Sequence, residues 1–299
     1  MRKRQSSLTA AGIAVLRALE SAKPEGVRLL YDPYARQFAG EFLYGLIAFF
    51  DRLGYSEWRG PGVVGFLTAR DRYIDDYLQS CLDAGLRQLV ILGAGFDARA
   101  YRFEPLKRGV KVFEVDHPAT QGVKLKKLIK HFGALPDHVT YVPIDFNTQT
   151  LEQRLAVSGY DPQRKTLFIW QGVTQYLTPE AVDGTLAFVA GHSGPGSAII
   201  FDYMDAALLA GSPPPDKGYH GELSGMRRNR WLSGESLVFG IPEDEITAFL
   251  ETRGFQNVQN AGAQALKERY FTGANAGRTV AQGYAIASAT VRQDAGSRE

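Results

Sequence analysis

The chain has 299 residues, of which 44% are hydrophobic and 22% charged, a composition that predicts a folded globular protein with a sizeable core. Its 34 basic and 32 acidic side chains leave a formal net charge of +2, which argues against the strongly basic surface of a nucleic-acid-binding protein. The single cysteine excludes an intramolecular disulfide and no run approaches the roughly 18 apolar residues of a membrane span, so we expect a cytoplasmic protein with neither nucleic acid nor membrane as a partner.

Helical periodicity without strand alternation marks the first 84 residues. The apolar spacing predicts helices over residues 10–22, 33–53 and 61–84, and Gly85 follows the last of them at a position that favours glycine. We therefore predict a helical N-terminal cap over residues 1–84.

Short β-branched runs alternate with helical stretches from residue 87 onward. The predicted strands cover residues 87–95, 110–116, 139–145, 166–170, 197–203 and 278–291, and a helix is predicted over 242–253. Nearly continuous apolar strands are covered by helices on both faces, so the pattern predicts a doubly wound α/β fold with a mostly parallel sheet over residues 85–292. Residues 204–241 show no clear period and are interpreted as a lid insertion. A basic stretch, Lys124, Lys126, Lys127 and Lys130, is interpreted as the solvated face of a helix.

The segment VILGAGFDAR, residues 90–99, takes an apolar strand into Gly93, Ala94 and Gly95. Glycine at the carboxyl end of a strand lets a ligand approach the backbone closely, and the following helix start offers free N–H groups. A tight strand-to-helix turn without a ligand would look the same. Alone, this segment therefore leaves both interpretations open.

Acidic residues end the second predicted strand, where Glu114 and Asp116 stand about 20 residues after the glycines. A carboxylate at that position accepts hydrogen bonds from ribose hydroxyls. The loop lacks the third glycine of the dinucleotide fingerprint, which favours a nucleoside without phosphates over a nicotinamide cofactor. A nicotinamide-dependent oxidoreductase remains the alternative.

Asp145 and Phe146 follow the third strand, where a carboxylate can accept the adenine amino group and a ring can lie against the base. Asp145 could instead cap a helix that begins near Thr148. The fourth strand leads into QGVTQYL at the same edge of the sheet. All candidate ligand residues therefore converge on one rim.

Four ordered motifs, VILGAGFDARAYRF, VFEVDHPATQGVK, VPIDF and FIWQGVTQYLT, resemble the leucine carboxyl methyltransferase superfamily. The likeness is strongest to its bacterial branch and to the tetracenomycin-type polyketide carboxyl methyltransferases, and it extends from about residue 32 to about residue 203. It implies a class I methyltransferase with a seven-stranded Rossmann-like sheet. S-adenosylmethionine is the methyl donor that the resemblance implies, and S-adenosylhomocysteine the product.

Site residues follow from the resemblance at the matching positions. Arg70 is expected to bind the methionine carboxylate of the donor, with Gly93, Ala94 and Gly95 close to the methionine part. Asp116, backed by Glu114, is expected to hold the ribose, and Asp145 with Phe146 the adenine. The family motif W-E-G-V has Gln171 in place of its glutamate here, which removes a negative charge that could face the donor. Gln171 is still expected to contact the donor.

A carboxylate acceptor is already anionic at neutral pH and needs no general base, whereas a phenol usually does. We therefore expect methylation of a carboxylate on a small molecule, such as a polyketide or other secondary metabolite, or on a peptide end. The alternatives are a phenolic or hydroxyl O-methyltransferase and a degenerate donor-binding regulatory protein, the latter motivated by Gln171. Candidates for holding the acceptor are Tyr176, Tyr203, Arg227 and Arg228.

Overall fold

In the computed structural model of the chain, the residues that are described form four helices before the sheet. The structure describes residues 6–55, 58, 60–145, 148–210 and 237–292. The helices are α1 (Ser6–Ser21), α2 (Ala35–Ala39), α3 (Glu41–Arg52) and α4 (Val63–Asp83). Gly40, with φ of 85°, separates α2 from α3, so the helix predicted over residues 33–53 is interrupted by a conformation that favours glycine.

In the described part of the chain, seven strands form one sheet in the order β3-β2-β1-β4-β5-β7-β6. They are β1 (Gln88–Leu92), β2 (Lys111–Asp116), β3 (Val139–Pro143), β4 (Thr166–Trp170), β5 (Ala198–Met204), β6 (Phe255–Ala261) and β7 (Tyr284–Val291). Strands β1 to β5 pair in parallel, and β7 is antiparallel to both of its neighbours. The doubly wound, mostly parallel sheet is thereby confirmed.

Helices cover both faces of the sheet. After the first four, they are α5 (Arg99–Arg102), α6 (Pro118–Phe132), α7 (Leu151–Val157), α8 (Pro179–Gly191), α9 (Ala206–Ala210), α10 (Ile246–Glu251) and α11 (Ala263–Tyr270). Alternate strand residues belong to two separate apolar clusters: Leu89 and Ile91 pack on the face that carries α4, and Val90 with Phe168 on the face that carries α8. This double burial explains why β1 and β4 are apolar after their first residues, Gln88 and Thr166.

The C-terminal part differs from the prediction. Strand β6 and helix α11 were not foreseen, the helix expected over 242–253 is limited to Ile246–Glu251, and the last strand begins only at Tyr284. Strand β6 lies at the edge of the sheet and buries only its two ends, Phe255 and Ala261. An edge strand with a mostly polar surface lacks the apolar run that marks a central strand.

Along the described part of the chain, no helix combines the length and apolarity needed to cross a membrane. The division into a cap over 1–84, a core over 85–292 and a lid over 204–241 stays a prediction, because residues 211–236 lie outside the described residues.

Candidate donor-binding site

The candidate site lies at the carboxyl ends of the parallel strands. Strand β1 has β2 on one side and β4 on the other. The chain leaves β1 towards β2 and leaves β4 in the opposite direction, towards β5. Such a switch point opens a crevice outside the strand ends, where ligands bind in open α/β sheets.

The bend after β1 requires glycine. Gly93 has φ of 67° and Gly95 of 43°, and the N–H groups of Gly93 and Ala94 both donate to the carbonyl of Val115 at 2.8 and 3.0 Å. A Cβ atom on Gly93 would collide with Cγ2 of Val173. The bend is therefore packed between the end of β2 and the segment that follows β4.

Asp116 is tied to this bend. Its Oδ2 accepts the Gly95 N–H at 2.6 Å, and its Oδ1 accepts the N–H of His117, also at 2.6 Å. Burial raises the pKa of Asp116, against the lowering effect of these two backbone hydrogen bonds. The imidazole of His117 caps α6, because its Nδ1 accepts the N–H of Ala119 at 3.2 Å.

Glu114 is buried in the layer between β2 and α6. Its Oε1 accepts the hydroxyl of Tyr101 at 2.9 Å, and its Oε2 lies 2.7 Å from Nζ of Lys124. The prediction that Lys124 belongs to a solvated helix face is wrong, since this side chain is 1% exposed, whereas Lys126 and Lys130 are exposed as expected. The unpaired charge of Glu114 would be costly in the core, so a lysine on the inner face of α6 is needed to offset it.

Arg70, on α4, is buried against the ends of β4 and β5. Its Nη1 lies 2.6 Å from Oδ2 of Asp202, whose Oδ1 accepts the N–H of Gly172 at 2.5 Å. The Nε of Arg70 is buried and has no hydrogen-bond partner among the residues that the structure describes. Sequence reasoning missed Asp202, although an acid inside the apolar strand SAIIFDY was a usable signal.

The side-chain amide of Gln171 is hydrogen-bonded at both its oxygen and its nitrogen. Its Oε1 accepts Nη1–H of Arg99 at 2.8 Å, and its Nε2 donates to Oδ1 of Asp71 at 2.9 Å. Arg99 also pairs with Asp75, at 2.7 Å, and with Asp97. The group formed around this guanidinium, the Arg99 cluster, comprises Arg17, Asp71, Asp75, Asp97, Arg99 and Gln171.

Helix α1 joins the Arg99 cluster through Arg17. The guanidinium of Arg17 donates to the carbonyl of Phe96, in the segment just after the glycine bend, and its Nη1 lies 4.0 Å from Oδ1 of Asp71. Burial raises the pKa of Asp71 and Asp97, but the positive charges of Arg17 and Arg99 outweigh it and leave both pKa values below their ordinary range. Both carboxylates therefore stay ionised at neutral pH.

The adenine-side candidates follow β3. Helix α7 is capped by Thr150, whose Oγ1 accepts the N–H of Gln153 at 3.2 Å. Capping of this helix is thus not the role of Asp145, whose backbone N–H donates to Oε1 of Gln149 at 3.2 Å. Phe146 lies outside the described residues.

The acceptor candidates are not brought together by the described residues. Tyr176 is half-buried in the short 3₁₀ turn Thr174–Tyr176 after β4. Tyr203 is buried, and its hydroxyl donates to Oδ1 of Asn260 on β6 at 3.1 Å. Arg227 and Arg228 lie outside the described residues. A role of these four in holding the acceptor stays a prediction.

Comparison with known proteins decides the family. The model of the leucine carboxyl methyltransferase family matches residues 10–190, which is more than half of the chain. The chain belongs to this family. The family assignment confirms the resemblance of the four motifs and gives no support to the nicotinamide-dependent alternative.

Two relatives carry provisional names as S-adenosyl-L-methionine-dependent methyltransferases. YktD of Bacillus subtilis (strain 168) is 33% identical over 204 residues, which cover 68% of this chain and 65% of YktD. A protein of Mycobacterium sp. (strain JLS) is 31% identical over 283 residues, covering 87% of each chain. The aligned part thus spans just under two thirds of YktD. These names give the same cofactor that the motifs implied.

Among solved structures, the CurJ carbon methyltransferase is similar in fold, with 13% identity and a TM-score of 0.49 over 95% of this chain and 67% of that chain. In the described site, a glycine bend, a carboxylate bonded to it and a buried arginine with an unpartnered Nε are compatible with an adenosyl amino acid, whose ribose and carboxylate need an acceptor and a cation respectively.

Proposed function

We propose that the chain is an S-adenosylmethionine-dependent O-methyltransferase that converts a carboxylate of a small molecule or peptide end into its methyl ester. S-adenosylmethionine is the methyl donor and S-adenosylhomocysteine the product. The observation that carries the proposal is the hydrogen bond between Gly95 and Asp116 at the switch point of the sheet, with Arg70 buried beside the neighbouring strand ends.

In this proposal, Arg70 binds the donor's carboxylate through the nitrogens that Asp202 leaves available. Arginine suits this task because its planar guanidinium offers several donors to a carboxylate. Gly93, Ala94 and Gly95 run beneath the methionine part, where any side chain on Gly93 would be blocked by packing.

The nucleoside end of the donor lies along the ends of β2 and β3. Asp116 accepts from the ribose hydroxyls, and Glu114 supports the strand from its buried ion pair behind it. Asp145 and Phe146 hold the adenine. Gln171 contributes through the Arg99 cluster.

The donor supplies a methyl group made electrophilic by the positive sulfur. The protein then has to place the acceptor oxygen in line with that group and exclude water. A carboxylate oxygen is an anion at neutral pH, so the step requires no base. His117, the only histidine next to a rim motif, has its Nδ1 engaged in capping α6, which supports an acceptor that is already ionised.

The acceptor is proposed to contact Tyr176, Tyr203, Arg227 and Arg228. The two arginines carry the charge that a carboxylate needs, and the two tyrosines follow or end β4 and β5, on the rim side of the sheet. A polyketide or other secondary metabolite fits the resemblance of the motifs to the tetracenomycin-type enzymes.

Methyl transfer from labelled donor tests the proposal. The purified protein and its Arg70→Met variant are incubated with radiolabelled S-adenosylmethionine and a library of aromatic acids, fatty acids and peptides. Label that is released by mild base indicates a methyl ester, and the variant should lose most of it. Base-stable label would indicate an ether and contradict the carboxylate acceptor. Binding of S-adenosylhomocysteine without transfer to any acceptor would favour a regulatory, donor-binding protein.

A further inference from the structure

We propose that Asp71 and Gln171 form a pair that carries one negative charge, and that this pair positions Arg70 and the glycine bend for the donor. The inference rests on the proposed function because it assumes S-adenosylmethionine as the ligand of the rim. It assigns Gln171 a positioning role in place of direct contact with the donor.

The amide of Gln171 is used at both ends. Its oxygen accepts from Arg99 and its nitrogen donates to Asp71, and only an amide can do both in this arrangement. A glutamate at 171 could accept from Arg99 but would face the Asp71 carboxylate without a proton between them. Asp71 is 2% exposed, so such a contact between two like charges would be poorly screened.

Two adjacent cross-links join the same two segments. Arg70 and Asp71 are neighbours on α4, and Gln171 and Gly172 are neighbours after β4. One cross-link is the bond from Gln171 to Asp71, and the other runs from Arg70 through Asp202 to the N–H of Gly172. Loss of the first cross-link removes one of the ties between the part of α4 that carries Arg70 and the segment after β4, so the guanidinium, held itself by Asp202, is placed less firmly for the donor carboxylate.

The same pair reaches the glycine bend through Arg99. The backbone N–H of Arg99 donates to Oδ1 of Asp97 at 2.7 Å, and its guanidinium pairs with the other oxygen of Asp97. Arg99 also donates to the side chain and the carbonyl of Asp71. A change of charge at Asp71 or Gln171 is therefore expected to shift the segment that follows Gly95, because Arg99 is bonded to all three.

The pair also explains the departure from the W-E-G-V motif. The negative charge that the motif has at position 171 stands at Asp71 in this chain, 2.9 Å from the amide nitrogen of Gln171. A negative charge is therefore present at this point of the rim although residue 171 is neutral. In this proposal, Gln171 does not imply a degenerate methyltransferase.

A charge-swap cycle tests the pair. Asp71→Asn, Gln171→Glu and the double variant are compared with the wild type by calorimetry with S-adenosylhomocysteine. Each single variant is expected to weaken binding about tenfold, because it leaves a buried polar group without its partner. The double variant restores one charge and one amide and is expected to bind within about threefold of the wild type. Asp83→Asn, an exposed acid at the end of α4, is the matched control and should bind as the wild type does.

Thermal unfolding of the same proteins separates positioning from mere support of the fold. Rescue of affinity by the double variant at a temperature where all four proteins are folded supports the pair. Singles that bind normally, or a double variant no better than the weaker single, would overturn it. If the wild type does not bind S-adenosylhomocysteine, the proposed donor is refuted, and the unfolding temperatures of the cycle then decide about the pair. Additive changes in unfolding temperature would refute the pair, whereas non-additive changes would support it.

Discussion

Two buried charged groups in this molecule have similar chemistry but different places in the sheet. The Arg99 cluster lies beyond the strand ends. The Lys124 cluster, composed of Tyr101, Glu114, Lys124 and Tyr141, lies at mid-strand, since Glu114 pairs across from Ile91 of β1 and Tyr141 of β3. Both bring together residues from separate elements. The Arg99 cluster is bonded to Phe96 and includes Gln171, in the segments beside the candidate donor site, whereas Glu114 is paired with Tyr101 and Lys124 two residues before the end of β2.

The two carboxylates of β2 show the same contrast over two residues. Glu114 is satisfied by side chains, a lysine and a phenol, whereas Asp116 is satisfied by backbone N–H groups of the bend and of α6. A carboxylate held by backbone donors at a strand end keeps room for ligand hydroxyls, and one enclosed by side chains does not. Position along the strand thus separates Asp116, the proposed ligand residue, from Glu114, which is enclosed in the core.

The largest expected effect is on the Lys124 cluster. Lys124→Met leaves the Glu114 carboxyl in the core without its cationic partner, so the free energy of unfolding should fall by about 3–5 kcal/mol. Lys126→Met, two residues away and exposed, should change it by less than about 0.5 kcal/mol. Chemical denaturation measures both.

The proposed difference between the Lys124 cluster and the Arg99 cluster would be contradicted if Lys124→Met also reduced donor binding by the folded protein. We expect the dissociation constant for S-adenosylhomocysteine, measured well below the unfolding temperature, to be unchanged in this variant. Adding Glu114→Gln should recover part of the lost stability, because it removes the buried carboxyl that lost its cationic partner.

The second effect is on affinity. Asp116→Ala removes the proposed ribose acceptor, and charged hydrogen bonds of this kind contribute about 1.5–3 kcal/mol. The dissociation constant for S-adenosylhomocysteine should therefore rise at least tenfold. An unchanged constant in calorimetry would refute the ribose role of Asp116, and Asp83→Asn again provides an exposed acidic control.

The sequence predicted those parts of the fold whose signal is local. The apolar strands β1, β2 and β4 and the glycine bend follow from residue type and spacing, because both faces of these strands are covered and the bend needs positive φ. Strand β6 escaped because its middle is exposed at the sheet edge. Recognising it requires the partner strand β7.

Spacing along the chain was enough to predict that Gly93 and Asp116 lie at the same edge of the sheet. It was not enough to predict how buried side chains pair. The burial of Lys124 and the partners of Gln171 could not be predicted, because both depend on side chains that are distant in sequence, Glu114 in one case and Asp71 in the other. The aspartates and arginines of ARDRYID and GFDAR were visible, but their pairing was not.

The smallest expected effect is on the pH dependence of binding. Burial raises the pKa of Asp116 above its ordinary value, whereas the pKa values of Asp71 and Asp97 are lowered by Arg17 and Arg99 against the effect of burial. The stabilisation from Asp71 and Asp97 is fully present above about pH 4, the range of an unfolded aspartate, and is lost only as the pH falls towards their lowered values. Asp116 takes up its proton at a higher pH than Asp71 and Asp97 do. A protonated carboxyl is a poor acceptor of hydrogen bonds from ribose hydroxyls. As the pH is lowered, affinity for S-adenosylhomocysteine should thus begin to fall while circular dichroism still reports a folded protein. Asp116→Asn should bind weakly but without this pH dependence, and a wild-type affinity that stays constant until the protein unfolds would contradict the difference between the two sets of carboxylates.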